Sequence, residues 1–305
     1  MRATDFFAFA RKRHQIYLDR QAGLPAPWTD DPILATYRFT NVYRELDRTT
    51  VWFRTHVRER LADMSPAQQL MGTILFRAFN RIESMDVLFN QGVLGEQTPI
   101  GWHFLNRFEN NVHADWQVPM ENTIRTALPK GPWVTGAYII KTPDGMDKLA
   151  GVLWILREAW GRVQATVAEL TRPDGPGPSL ERLQRLLEAY PYMGPFMAYE
   201  VVTDMAHLPL LRDAPDIMTW ANAGPGAKRG LNRVHGRPLK QALNQRQACA
   251  EMRELLEVSQ LTRDWPPASK DWPPLTMREI EHTLCEFDKY ERVRTGEGRP
   301  RGRFA

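Results

Sequence analysis

The sequence predicts an all-α protein, and three observations carry that prediction. Apolar residues recur three and four apart through most of the 305 residues. Several of these stretches open on a capping residue or a proline, and the first stops at a glycine. Only Val134 to Lys141, with Gly136-Ala137-Tyr138-Ile139-Ile140, has strand character, and it reads equally as a buried loop.

The elements follow in order. Phe6, Phe7, Phe9, Ala10, Ile16 and Tyr17 form the stripe of a first helix, capped by Thr4 or Asp5 and ended at Gly23. After the proline-rich loop Leu24 to Pro32, a long helix is expected from near Thr40 through Val42, Tyr43, Leu46, Thr50, Trp52 and Phe53 to Leu61. Ser65-Pro66, a cap followed by proline at the first helical position, opens a helix from Ala67 to about Asn80. Further helices fit Ile100 to Val112, Asp144 to Leu170, Leu180 to Ala189, Pro195 to His207, Pro225 to Val234, Leu239 to Val258 and Met277 to Val293. Pro173 to Ser179 and Asp264 to Pro274 are proline-rich candidate linkers. The expected organisation is an N-terminal helix and loop over 1–36, then a helical catalytic domain over 37–294 with lobes at about 37–172 and 180–294. A basic flexible tail follows over 295–305.

Composition bounds the function. The net charge of +4 and a pI near 9.1 give a mild bias toward a polyanionic partner. Basic residues gather at Arg11-Lys12-Arg13-His14, at Lys228-Arg229 with Arg233, and at Arg292, Arg294, Arg299, Arg301 and Arg303. No apolar run approaches the ~20 residues of a membrane span, and no signal peptide precedes the first helix, so a cytoplasmic protein without a membrane partner is expected. Cys249 and Cys285 are too few for a disulfide framework and are not spaced as metal ligands. The sequence holds no G-x-x-x-x-G-K-[ST], no G-x-G-x-x-G after a strand and no H-E-x-x-H, which disfavours a P-loop, a nicotinamide site and a zinc enzyme.

Polar residues stand where helix faces would otherwise be apolar. On the helix expected through Thr40, Asn41, Arg44 and Arg48 fall three to four apart with Asp47 adjoining. Arg77 and Asn80 repeat the pattern within Leu75-Phe76-Arg77-Ala78-Phe79-Asn80. Buried guanidinium groups need partners. Either Asp47, Glu45 and Glu83 neutralise these arginines in a structural network, or the arginines line a cleft for an anion. Near the C-terminus Glu281, Cys285 and Asp288 or Lys289 share one helical face, and Leu284 with Phe287 another.

Between Leu187 and Gly230 a helix ends near Tyr190, a tight turn follows at Met193-Gly194-Pro195, and a second helix starts at Pro195. Backbone N–H groups at such a turn suit phosphate. The spacing resembles the helix-hairpin-helix of base-excision DNA glycosylases, whose hairpin usually carries an earlier glycine where this chain has Tyr192.

A wider set of words is more specific: Thr40-Asn41-Val42-Tyr43-Arg44-Glu45-Leu46-Asp47-Arg48-Thr49-Thr50, Phe76-Arg77-Ala78-Phe79-Asn80, Thr135-Gly136-Ala137-Tyr138, Met193-Gly194-Pro195-Phe196-Met197-Ala198-Tyr199, Gly224-Pro225-Gly226-Ala227-Lys228-Arg229-Gly230 and Leu284-Cys285-Glu286-Phe287-Asp288-Lys289-Tyr290. From about Tyr37 to Tyr290 the chain resembles the alpha-glutamyl/putrescinyl thymine pyrophosphorylases, the amino acid:DNA transferases of bacteriophages with hypermodified thymidine. That family is related to the helical region of 5-hydroxymethyldeoxyuridine DNA kinases and to helix-hairpin-helix glycosylases.

The resemblance implies a two-lobed glycosylase-like fold and a transferase that replaces the phosphate or pyrophosphate of 5-(pyro)phosphomethyl-deoxyuridine in DNA with an amine, glycine being favoured. Such hypermodification protects phage DNA from host restriction, and the setting would be the host cytoplasm if the chain is phage-encoded. The partners implied are double-stranded DNA with modified thymidine and a free amino acid or polyamine, and a monomer with no metal or other cofactor is expected. Arg44, Arg48, Arg77, Lys228 and Arg229 would stabilise the leaving anion. Asp47, Glu281 or Asp288 would take a proton from the incoming ammonium. Asn41 and Asn80 would read the edge of an extruded uracil, with Tyr138, Phe196 or Trp220 stacked on it. Gly194, Phe196, Gly224, Gly226 and Lys289 complete the expected DNA and phosphate contacts, the Gly224-Pro225-Gly226 turn acting as a backbone nest. The alternatives are a base-flipping glycosylase acting on a modified pyrimidine, for which the lysine usual after the hairpin is here Phe196, and a non-enzymatic DNA-binding module.

Overall fold

A computed structural model describes residues 3–91, 98–109, 116–261, 264–300 and 302. Among these residues the backbone is helical or irregular and forms no strand, in keeping with the sequence periodicity. The segment 134–141 is an irregular loop in which Ile140 is buried and Ile139 faces solvent.

Helix α1 spans Ala3–Gln21 and α2 spans Pro32–Thr36, the latter capped by Asp31, whose side chain accepts from the Ile33 and Leu34 N–H groups. The long helix expected from Thr40 to Leu61 is not formed as one element. A 3-10 turn at Arg44–Leu46 precedes α3 (Arg48–Phe53), a π turn (Arg54–Arg58) and α4 (Glu59–Leu61). The cause is local: Asp47 Oδ1 accepts from the Asn41 N–H and side-chain amide, both at 3.0 Å, so side-chain groups compete with the helical backbone.

Helix α5 (Pro66–Phe79) opens on the Ser65 cap, with Gln68 returning the second bond of a capping box. It is followed by α6 (Ile82–Phe89), α7 (Ile100–Glu109) and α8 (Gln117–Ala127). The remainder of the expected Ile100 to Val112 helix lies outside the described residues, as do Arg301 and Arg303. Helix α9 (Lys148–Leu170) starts on Asp147, α10 (Leu180–Leu187) on Ser179, and α11 (Pro195–Met205) and α12 (Pro225–Val234) each on a Gly-Pro step. Helix α13 (Gln245–Leu261) starts later than the expected Leu239 because buried Asn232 donates to the Leu239 and Gln241 carbonyls and holds that stretch as a turn. Helix α14 (Met277–Arg294) opens on a Thr276–Glu279 capping box.

The chain divides into two compact units, Met1–Asp47 with Asp216–Ala305, and Arg48–Pro215. These differ from the expected lobes. Proline-rich 173–179 lies inside the second unit, where Arg182 donates to the Leu170 and Gly177 carbonyls. Proline-rich 264–274 belongs to the first unit and carries buried Trp265. Proline here marks turns between packed helices rather than a boundary. The 1–36 segment is likewise part of the first unit's core: Phe6 and Phe9 set ring contacts on Phe287 at 5.8 and 5.9 Å. In that unit α12 crosses α14 closely at Gly230, where a methyl would overlap the Leu284 carbonyl oxygen. In the second unit α5 is buried along its length against α7, α9 and α11, and Phe76 stacks on Phe53 at 4.0 Å.

Candidate functional site

In the first unit the irregular segment after Phe39 gathers a polar network. Asn41 Oδ1 accepts from Arg13 Nη2 at 2.8 Å, and its amide joins Asp47. Asp47 Oδ2 pairs with Arg44 Nε at 2.6 Å, each side chain keeping slightly under a fifth of its surface exposed. Arg44 Nη1 lies 3.0 Å from Nε2 and 3.1 Å from Nδ1 of His282, and Thr40 Oγ1 hydrogen-bonds the same ring. Burial, together with the Arg44, Arg278 and Lys289 charges, holds the His282 pKa well below the ordinary histidine value, so the ring is neutral and accepts from Arg44. The structure therefore brings Asn41, Arg44 and Asp47 together through side-chain capping rather than along a helix face, and Arg48 stands exposed at the start of α3.

On α14 the other expected residues are already engaged. Both Asp288 oxygens are taken, Oδ2 by Arg229 and Oδ1 by Arg233, each at 2.9 Å, and the side chain is inaccessible to solvent. Arg292 lies 3.5 Å from Asp288, and Arg233 continues to Glu297 at 2.6 Å. As a proton acceptor Asp288 has no access, which corrects that expectation, and Arg229 is held by it at one edge. Lys289 donates to the Arg38 carbonyl at 2.6 Å and pairs with Glu286 at 3.0 Å, so it is turned toward the protein. Glu281 is buried, accepting from the Gly224 N–H at 3.4 Å, beside the Cys285 thiol. Burial and the neighbouring Glu281 and Glu286 charges push that thiol well above its ordinary pKa. The Gly224-Pro225-Gly226 turn thus faces the chain's own carboxylate, and Gly226 is needed because a Cβ there would meet Cys285 Sγ at 2.9 Å. Lys228 stays half-exposed on α12.

In the second unit Arg77 is almost fully buried and held by two acids that the sequence reading missed. Its Nε and Nη2 meet Asp204 at 2.5 and 2.9 Å, and Nη1 meets Glu200 at 2.6 Å. Asn80 Oδ1 sits 3.4 Å from Nη1. Burial opposes the guanidinium charge, and the two carboxylates outweigh it, so the Arg77 pKa rises. Glu83 pairs instead with Arg81 at 3.3 Å. The Tyr138 hydroxyl donates to the Arg77 carbonyl at 3.4 Å, and burial raises its pKa. A recess of about 10 Å³, with Arg77, Ile140, Tyr192 and Met197 among its walls, is room for about one water.

A turn joins α10, which ends at Leu187 rather than near Tyr190, to α11, which starts at Pro195 as expected. Tyr192 adopts φ +60, the left-handed conformation glycine favours, which explains how the turn forms without a glycine there. Met193 N–H bonds the Tyr190 carbonyl at 3.1 Å, and α11 starts at Gly194-Pro195 without a side-chain cap. Phe196 is 53% exposed and touches Tyr138 edge to face at 5.0 Å. Trp220, by contrast, is buried and presents no stacking face. The signal that could have found the missed acids is a short one, the i,i+4 spacing of Glu200 and Asp204 on α11.

Comparison with known proteins places the chain in a family. Residues 2–299 match the family described as 5-hmdU DNA kinase, helical domain. A curated relative named 5-hmdU DNA kinase, from Bacillus phage SP10, is 29% identical over 228 residues, covering 70% of this chain and 32% of that protein. The match therefore spans about a third of the relative's length. No solved structure matches the chain.

Proposed function

The chain belongs to the 5-hmdU DNA kinase helical-domain family, and from that premise we propose that it is a phage DNA-modifying enzyme of thymidine hypermodification. The reaction we read is replacement of the (pyro)phosphate of a 5-(pyro)phosphomethyl-deoxyuridine by an amine, glycine being favoured. The amine nitrogen bonds to the exocyclic methylene carbon, the C–O bond breaks with its electron pair leaving on the (pyro)phosphate, and the ammonium proton passes to a carboxylate. Electron release from N1 of the pyrimidine assists departure of the anion. The observation that carries the reading is the Arg44–Asp47 pair: a cation for the leaving anion and a carboxylate for the proton, 2.6 Å apart and still partly open to solvent. Asp47 is favoured over Glu281 and Asp288 because those two are buried. Neutral His282 and Asn41 hold the pair in place. The resemblance of the motif words to the thymine pyrophosphorylases supports transfer, and the hairpin supports DNA.

The test is nucleoside mass spectrometry of DNA bearing 5-phosphomethyl- or 5-pyrophosphomethyl-deoxyuridine after incubation with the chain, amino acids and putrescine. A mass shift equal to one amine is expected, and an abasic site would replace the reading with a glycosylase. A second reading follows from the relative's name, that the chain serves as the DNA-recognising part of a kinase. Unchanged modified DNA, with binding of 5-hydroxymethyldeoxyuridine DNA retained, would favour it.

A further inference from the structure

We propose that the hairpin tip and the loop 138–141 form a stacking platform for an unpaired stretch of a DNA strand, with the strand's phosphate at the N-terminus of α11. The proposal rests on the reading that the chain acts on DNA and names which form of DNA the second unit holds. Three large apolar side chains face solvent within this small region: Tyr192 at 43%, Phe196 at 53% and Ile139 at 81%. Exposed apolar groups gathered in one place mark an interaction surface. Two of them are aromatic and braced from behind, Phe196 by Tyr138 at 5.0 Å and Tyr192 by Trp154 at 5.8 Å, both edge to face. Braced rings present faces without rotamer loss on binding, and every base has a face to lay on them. Tyr192 also holds φ +60, where glycine would be the easier residue, so the chain keeps the ring against a backbone penalty.

The surroundings select a nucleotide over an apolar peptide. Helix α11 spans eleven residues from Pro195, follows Gly194 with no side chain capping it, and carries Phe196 in its first turn, so its positive dipole end lies beside the turn that carries Tyr192. Lys148 Nζ is anchored 2.7 Å from the Ile140 carbonyl and 3.2 Å from Thr142 Oγ1, which puts a cation beside the loop that carries Ile139, and exposed Lys141 follows in the same loop. Rings for bases together with cations and a helix N-terminus for phosphates are the components of a single-strand binding surface.

Fluorescence anisotropy of the whole chain with three labelled DNAs tests this: a single strand, a duplex with a short thymidine bulge, and a fully paired duplex. The expected result is preference for the first two. Tyr192→Gly and Phe196→Ala are each expected to weaken these two by about tenfold while changing the paired duplex by less than about twofold. Tyr192→Gly suits the left-handed backbone, so its thermal unfolding midpoint is expected at or above that of the parent chain, which keeps loss of binding separate from loss of fold. Equal binding of bulged and paired DNA, or unaltered binding of the bulge by both variants, would overturn the platform and leave the DNA-modifying reading intact. Failure of the parent chain to bind any of the three would overturn both.

Discussion

Removing the Arg77 charge leaves the Asp204 and Glu200 carboxylates without their shared cation in a site where Asp204 has no solvent contact. Desolvated carboxylates deprived of a partner cost about 3–5 kcal/mol. Arg77→Met is therefore expected to lower the unfolding free energy measured by urea titration by that amount, and a loss below about 1 kcal/mol would show that Arg77 is not a structural ion. Asp47 belongs to a different regime. Its partner Arg44 is partly exposed, and such pairs contribute about 1 kcal/mol or less. The Asn41 N–H that Asp47 accepts can be satisfied by an amide oxygen as well. Asp47→Asn is thus expected to fold within about 1 kcal/mol of the parent and to bind DNA, while transfer falls at least about a hundredfold through loss of the proton acceptor. Retained turnover would remove Asp47 from that role, and an unfolded variant would make the pair structural.

At the scale of the element, a helix was legible in the sequence wherever its start is written in adjacent residues. Ser65-Pro66, Gly194-Pro195 and Gly224-Pro225 mark starts that the structure keeps to within a residue, because a cap or a proline acts within one turn. The Thr40 helix misled because its apolar spacing is helical, while Asp47 and Asn41 spend their side chains on nearby backbone groups. Helices α6 and α8 carry no such start signal and are held by their neighbours. The candidate sites were less legible for the same reason at longer range, since Arg77 meets Asp204 across 127 residues. The α12–α14 crossing was readable in neither helix alone, although it fixes where Arg229, Arg233 and Asp288 meet. Gly230→Ala is expected to destabilise by about 1–3 kcal/mol, because the added methyl forces α12 off the Leu284 carbonyl. An unchanged midpoint would mean the helices can part without loss.

At the scale of the molecule, the first unit is expected to be the acid-sensitive one. It holds two histidines, His14 and His282, whose ionisation the fold opposes. His14 is kept neutral chiefly by burial, its Nε2 2.6 Å from the Asp271 carbonyl and its ring enclosed by Tyr17, Tyr43 and Trp272. His282 is kept neutral by burial and then by Arg44, Arg278 and Lys289. The unfolded chain protonates these rings near the ordinary value of about 6.5, the folded chain only at lower pH, so below about 6.5 the unfolded state binds more protons. Stability is therefore fully present above that value and declines as pH falls toward the folded-state pKa. For His282 the slope approaches at most about 1.4 kcal/mol per pH unit in that window, where carboxylates with ordinary pKa values are still ionised. Denaturant midpoints between about pH 7.5 and pH 5.5 are expected to fall for the parent chain and to fall less steeply for His282→Gln, whatever that variant's stability at neutral pH. Hydrogen exchange at about pH 5.5 is expected to accelerate in α1 and α14 before α5 and α9, since the first two carry these rings and the last two belong to the other unit. Equal slopes for the two chains would mean that burial and the Arg44, Arg278 and Lys289 charges do not hold the His282 ring neutral, and with that would go the account of a neutral ring positioning Arg44 against Asp47.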